Sequence, residues 1–260
     1  MLKTRPVNTI PPPVRLGVLT PSSNTVLEPL TLAMIADLPG VTAHFSRFRV
    51  TEIGLTAPGL QQFEHSEIVR AGELLADARV HVIAWSGTSA SWLGFERDEE
   101  LCRRIEDRSG IPACTSVLAF REIFERTSVR RVGLVTPYLD DVQQRIISNW
   151  DGAGFHCTAE RHLGLSDNYS FAEVPEATIA DMVRDVARAG CDAVAIVCTN
   201  LKGAKLALRL EQELDVPIYD SISVTVWKSL ALAGVESDSL SAWGGLFTHP
   251  SLNAHAKATA

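Results

Sequence analysis

The chain has 260 residues, 46% hydrophobic and 21% charged, proportions that fit one large α/β domain or two modest lobes with a packed core. Its formal charge of −7 leaves no basic footprint for nucleic acid or an anionic membrane surface. No apolar run reaches the ~18 residues of a membrane-crossing helix, and the start, MLKTRPVNTIPPPVR, lacks the apolar core of a signal peptide, so the expected location is the cytoplasm.

Residues 1–13 are polar, end in PPP and read as a flexible arm. RLGVLT (15–20) then reads as a buried parallel strand, and TEIGLTAPGLQQ (51–62) as an irregular segment that could close over a cleft or be a plain surface loop. A helix is expected over 67–78, a strand in VHVIAW (80–85) and a helix over 98–110. RRVGLVT (130–136) repeats the strand pattern, a helix follows over 142–154, another over 178–190, and DAVAIV (192–197) is the last clear strand. Three of these helices stop in or near glycine. The alternation predicts an α/β fold with parallel sheets. Residues 14–116, completed by 222–247, are expected to form one half and 117–221 the other, with a flexible tail over 248–260.

The chain also repeats itself in order. LGVLTPSSN from Leu16 is echoed 116 residues later by VGLVTPYLD from Val132. GTS from Gly87 is echoed 111 residues later by CTN from Cys198, and SGIPACTS by DVPIYDS, with Pro112 and Pro217 separated by 105. Such matches predict two Rossmann-like lobes related by a pseudo-twofold axis. Ligands bind at the carboxyl ends of strands in such sheets, so PSSN, GTS, PYLD and CTN should surround one cleft between the lobes.

Five cysteines occur, with neither a CxxC pair nor zinc-like Cys/His spacing, so free thiols and no metal are expected. Cys102, Cys114, Cys157 and Cys191 read as structural. Cys198 ends a buried strand where a helix should begin. The amides of Thr199 and Asn200 and that helix start would lower its pKa from ~8.5 and make it an acid or base near neutrality. At Gly87 the backbone could approach a ligand closely. Thr88 and Ser89 could grip a carboxylate or enediolate, or simply cap a helix. Pro21, Ser22, Ser23 and Asn24 form a turn suited to a small carboxylate, or an ordinary polar turn. Tyr138 occupies the matching loop of the second half and could donate to an oxyanion, while Asn168 has the weakest local signal. Trp85 and Trp92 flank GTSAS and read as core, with room for one of them to line an apolar pocket. GxGxxG, GxxxxGK[ST] and HExxH are all absent, and the seven histidines pair with nothing readable.

From about Arg15 to Phe247 the chain resembles the cofactor-independent aspartate/glutamate racemase superfamily, in its arylmalonate decarboxylase and maleate cis-trans isomerase branch. GTSASWLG and TPYLDDVQQR look like the decarboxylase, whereas PSSNT, LSDN and CTN look more like the isomerase. The resemblance implies two facing cysteines in racemases and isomerases, and a glycine in place of the first in decarboxylases. Gly87 and Cys198 therefore imply a one-acid reaction, the decarboxylation of a substituted malonate-like acid. Cys198 would protonate an enediolate whose oxygens Thr88, Ser89 and Tyr138 hold, and Ser23, Asn24 and Asn168 would bind a carboxylate. No cofactor is implied, the partner is a small carboxylate or dicarboxylate, and a homo-oligomer is expected from the resemblance alone. The alternatives are an isomerase or racemase that has lost its first thiol, and a non-catalytic two-lobed carboxylate-binding protein.

Overall fold

The computed structural model describes residues 13–253, so the arm, Pro13 aside, and the tail beyond Asn253 lie outside the described residues. Two four-stranded parallel sheets carry the fold. The first holds β1 (Val14–Pro21), β2 (Val41–Phe48), β3 (Val82–Trp85) and β4 (Ala113–Thr115), in spatial order β2-β1-β3-β4. The second holds β5 (Arg131–Val135), β6 (His156–Arg161), β7 (Ala193–Ile196) and β8 (Ile218–Asp220), in order β6-β5-β7-β8. The connectivity of one lobe is thus the connectivity of the other. In both, chain direction across the sheet reverses beside the first strand, and the switch point faces the carboxyl ends where ligands bind.

VIAW of β3 and AVAI of β7 are buried at every position, which is why they read as unbroken apolar runs. The four expected helices form as α3 (His65–Asp77), α5 (Phe95–Ser109), α7 (Asp140–Gly152) and α8 (Glu176–Ala187). Gly110 ends α5 in the left-handed region at φ 69°, and its N–H donates to the Glu106 carbonyl.

The internal repeat has physical causes. A Cβ on Gly17 of β1 would lie 2.9 Å from Val80 Cγ2, and one on Gly133 of β5 would lie 2.9 Å from Val186 Cγ2. Both strands accept close packing against a β-branched neighbour at the same register. Pro112 and Pro217 each lead into an outer strand, and their carbonyls accept from Ile83 N and Val194 N, both at 2.9 Å.

Two helices tie the lobes together. α6 (Ser116–Arg126) follows β4, yet its Phe124 packs on Trp150 and Phe155 and reaches Tyr219 of the other sheet. α10 (Ser221–Leu232) follows β8 and packs on β3, β4 and α6. Ser116 and Thr225 share a hydrogen bond of 2.6 Å where those two helices meet. Residues 250–253, read from sequence as part of a flexible tail, form the short helix α11 (Pro250–Asn253) with Leu252 buried. No described helix is long and apolar enough to cross a membrane.

The glycine pair gives a direct test of the packing. Gly17→Ala and Gly133→Ala should each cost about 1–3 kcal/mol through overpacking. Gly152→Ala, in α7 with nothing within 4 Å of its Cβ position, should be neutral or stabilising. Urea unfolding midpoints of the three variants check the difference.

Candidate active site

The loops after β1, β3, β5 and β7 meet at the seam between the lobes and enclose a cavity of about 20 Å³, room for one water. Thr88, Ser89, Tyr138, Asn168, Cys198 and Thr199 give it a polar side. Pro21, Val50, Ile53, Phe63, Trp85 and Trp92 give it an apolar side, and Gly87 completes the wall. Among the described residues, no lysine, arginine or carboxylate lines it.

Cys198 is 3% exposed. Burial pushes its thiol up to about 12, against the opposing pull of the Asn200 amide, the Tyr138 phenol and the Leu201 amide. The Asn200 N–H donates to Sγ at 3.4 Å. The expectation of a lowered pKa at a helix start is corrected on both counts. Residues 199–203 form a turn, followed by one 3-10 turn, Ala204–Leu206, and only then α9 (Ala207–Leu214). Desolvation outweighs the amides, so the group is a protonated thiol at neutral pH. Burial likewise raises Tyr138 well above the ordinary phenol range, and its hydroxyl meets Thr88 Oγ1 at 2.7 Å. Ser89 precedes the short helix α4 (Ala90–Leu93), but its side chain makes no capping hydrogen bond. Capping therefore does not account for the hydroxyl that lines the cavity.

The other polar residues read from the sequence gather at the same seam in a different role. Asn24 Oδ1 accepts from the amides of Val26 and Leu27 at the start of α1 (Leu27–Ile35), while its Nδ2 donates to Thr199 Oγ1 at 3.1 Å. Asn200 Oδ1 accepts from Thr25 N at 3.0 Å and Val26 N at 3.3 Å, and its Nδ2 donates to the Asn168 carbonyl at 2.6 Å. Asn168 Nδ2 donates to Ser23 Oγ at 2.8 Å, and the Ser22 and Ser23 hydroxyls donate to the Val50 carbonyl. Ser23, Asn24 and Asn200 thus hold one lobe to the other, Ser22 ties its own loop to Val50, and none of the four lines the cavity. Asn168 does both.

Gly87 is explained by its neighbour. A Cβ there would lie 2.0 Å from Trp85 Cζ2 and 2.4 Å from Cε2. The indole lies against the glycine and fills the volume that any side chain at 87 would need. Sequence reading assigned the glycine to close approach by a ligand; the approach seen is by Trp85.

Val50, Ile53 and Phe63 were not singled out from the sequence. They flank or belong to the 51–62 segment, which contains α2 (Ala57–Gln61) and is pinned to the second lobe by Ile53 N to the Ser166 carbonyl at 2.8 Å. Three apolar residues in a stretch without helical or strand period were the available signal. The remaining thiols, all free, lie apart from the cavity, and burial raises each of them.

These features define a two-lobed α/β protein with a water-poor cleft site carrying one thiol. A family model described as arylmalonate decarboxylase matches residues 27–247, and the chain belongs to that family. Arylmalonate decarboxylase of Bordetella bronchiseptica is 25% identical over 235 residues, covering 89% of this chain and 95% of its own. Maleate isomerase of Pseudomonas putida is 24% identical over 234 residues, covering 85% and 92%. Among solved structures, a Nocardia farcinica maleate cis-trans isomerase mutant with a covalently bound succinylcysteine intermediate superposes with a TM-score of 0.80 at 21% identity, over 86% of this chain and 94% of that one.

Removal of the seam contacts should be felt in stability. Asn200→Ala deletes two interlobe hydrogen bonds and one within the second lobe, leaving the Asn168 carbonyl without that donor. A loss of about 2–4 kcal/mol is expected, against under about 0.5 kcal/mol for the exposed Thr25→Ser, both read by chemical denaturation.

Proposed function

We propose that the protein is a cofactor-independent decarboxylase of a substituted malonate-like acid, with Cys198 as the only proton donor. The observation that carries this reading is the asymmetry of the two strand ends. One bears a buried, protonated thiol. The other bears a glycine whose side-chain volume Trp85 occupies.

The chemistry follows from the cavity walls. One carboxylate of the substrate sits against Thr88, Ser89 and Tyr138. The other faces Val50, Ile53 and Phe63, where desolvation favours loss of its charge. Breaking the carbon–carbon bond releases carbon dioxide and leaves the electron pair on the α-carbon, conjugated with the retained carboxylate as an enediolate. Donors prealigned on the developing oxyanion are each worth ~10²–10³ in rate. Cys198 Sγ–H then delivers its proton to the α-carbon, a general-acid contribution of about 10²–10⁴. The resulting thiolate is stabilised by the Asn200 amide and the Tyr138 phenol and regains a proton from solvent when product leaves. One proton is taken up for each carbon dioxide lost.

Two further readings accompany this one. The 51–62 segment acts as the lid, because a cavity with room for one water must open to admit substrate. The closing lobes are 14–116 completed by 222–247, and 117–221, a division supported by the packing of α10 on β3 and β4. Isomerisation is the alternative that the relatives raise, since four curated relatives and four solved neighbours are maleate isomerases. It needs either an attacking thiolate or a second acid–base group. The buried thiol with its raised pKa and the glycine under an indole weigh against both.

The expected result in deuterated buffer is that phenylmalonate or methylmalonate loses carbon dioxide, and that Cys198→Ala lowers the rate by about 10²–10⁴. Proton NMR on those substrates, with maleate and aspartate in the panel, makes the comparison. Conversion of maleate to fumarate, or deuterium washed into aspartate, would refute the reading, and binding of these acids without turnover, unchanged in Cys198→Ala, would favour a simple binding protein. The acid form of Cys198 is the active one. With its pKa raised from 9.0 to about 12, activity should hold from pH 7 to 10 and fall only as pH approaches the raised value. A rate lost through pH 8–9 would show an exposed, ordinary thiol instead.

A further inference from the structure

The apolar side of the cavity is not wholly apolar. Trp85 Nε1 and Trp92 Nε1 are both buried without a hydrogen-bond partner, and both residues line the cavity. A buried donor left unmade costs about 1–3 kcal/mol, and native proteins keep few of them. Trp150 Nε1 shares this state, but it lies in the aromatic cluster of α6 and α7 and does not line the seam cavity. The two indoles at the seam are held in place by ring contacts, Trp85 against Phe48 at 5.0 Å, and Trp92 edge-on to Phe63 at 5.7 Å and to Tyr138 at 5.3 Å. Cε2, the ring carbon bonded to Nε1, is one of the Trp85 atoms nearest the Gly87 Cβ position. The N–H edge of Trp85 therefore lies beside the strand end that is the counterpart of Cys198.

We infer that Trp85 and Trp92 form a donor pair for a neutral oxygen on the α-substituent of the substrate, so that the preferred substrate is an α-hydroxy- or α-alkoxymalonate rather than one with a plain hydrocarbon group. The inference rests on the decarboxylase reading for the malonate part alone. The retained carboxylate already has Thr88, Ser89 and Tyr138 as its donors. Donors on the leaving carboxylate would favour the ground state and slow the reaction. The substituent is the remaining part of the molecule that can use them. Its acceptor is a neutral hydroxyl or ether oxygen because a third charge in this buried cleft would add a further desolvation cost with no counter-charge on the lining residues.

The test reads the two N–H groups directly. Protein carrying Cys198→Ala, so that ligand is not consumed, is labelled with ¹⁵N-tryptophan. Trp85→Phe and Trp92→Phe in the same background assign the indole signals. Titration with hydroxymalonate should move the Trp85 and Trp92 N–H protons downfield, and methylmalonate at saturation should not. In the otherwise native enzyme, Trp92→Phe should lower the ratio of kcat/KM for hydroxymalonate to that for methylmalonate about tenfold, the worth of one hydrogen bond to a buried acceptor. Indole signals that stay in place at saturating hydroxymalonate, or an unchanged ratio, overturn the inference. The failures are separable. Shifted indole signals without carbon dioxide release from any malonate sink the decarboxylase reading and leave the donor pair. Release from methylmalonate with unmoved indole signals sinks the donor pair alone.

Discussion

Exclusion of water from the seam between the lobes is the constraint on which the site depends. The Asn24–Thr199, Asn200–Thr25 and Asn168–Ser23 hydrogen bonds close the polar edge, and Val50, Ile53 and Phe63 close the apolar one. What remains is small enough that burial outweighs hydrogen bonding at both titratable groups in it, Cys198 and Tyr138. The Cys198 thiol rises to about 12 although two amides and a phenol favour its anion. A wetter seam would let those donors win and leave a nucleophile. The dry seam leaves an acid, which is the form needed to quench a carbanion.

The two lobes share strand order, register glycines and outer-strand prolines, so one frame serves two different strand ends. Differences at a few positions make the cleft one-sided. Where the second lobe carries Cys198, the first carries Gly87. Ile196, two residues before Cys198, packs instead against Gly203, where a Cβ would meet its Cδ1 at 2.9 Å. Trp85, two residues before Gly87, is large enough to fold its ring over the glycine. Gly87 and the Trp85 ring position are thus coupled by packing, because a side chain at 87 and this indole position exclude each other.

Legibility from sequence followed burial and locality. β1, β3, β5 and β7 were visible because inner strands of parallel sheets are apolar throughout. β2 and β6 are half-exposed edges with mixed polarity, and β4 and β8 have three residues each, too few for a period to show. α10 is buried on almost every face, so it carries no amphipathic stripe. The repeat was readable because Gly17, Gly133, Pro112 and Pro217 are demanded by close contacts. At the site, Cys198, Thr88, Ser89 and Tyr138 were readable from their places at strand ends. Their electrostatics were not, because the sign of the thiol shift depends on how completely the opposite lobe covers it. The interlobe duties of Asn24 and Asn200 join residues about 175 positions apart, a pairing that no local pattern announces.

One-sided proton delivery is the central claim, and the stereochemistry of the product tests it most directly. A malonate with two different α-substituents is decarboxylated in deuterated water, and the product is analysed for enantiomeric composition and deuterium content. The account predicts a single enantiomer with one deuterium at the α-carbon and no further exchange on prolonged incubation. A racemic product, or deuterium that continues to exchange at that carbon, would mean that a second group reaches the opposite face and that Trp85 does not close it.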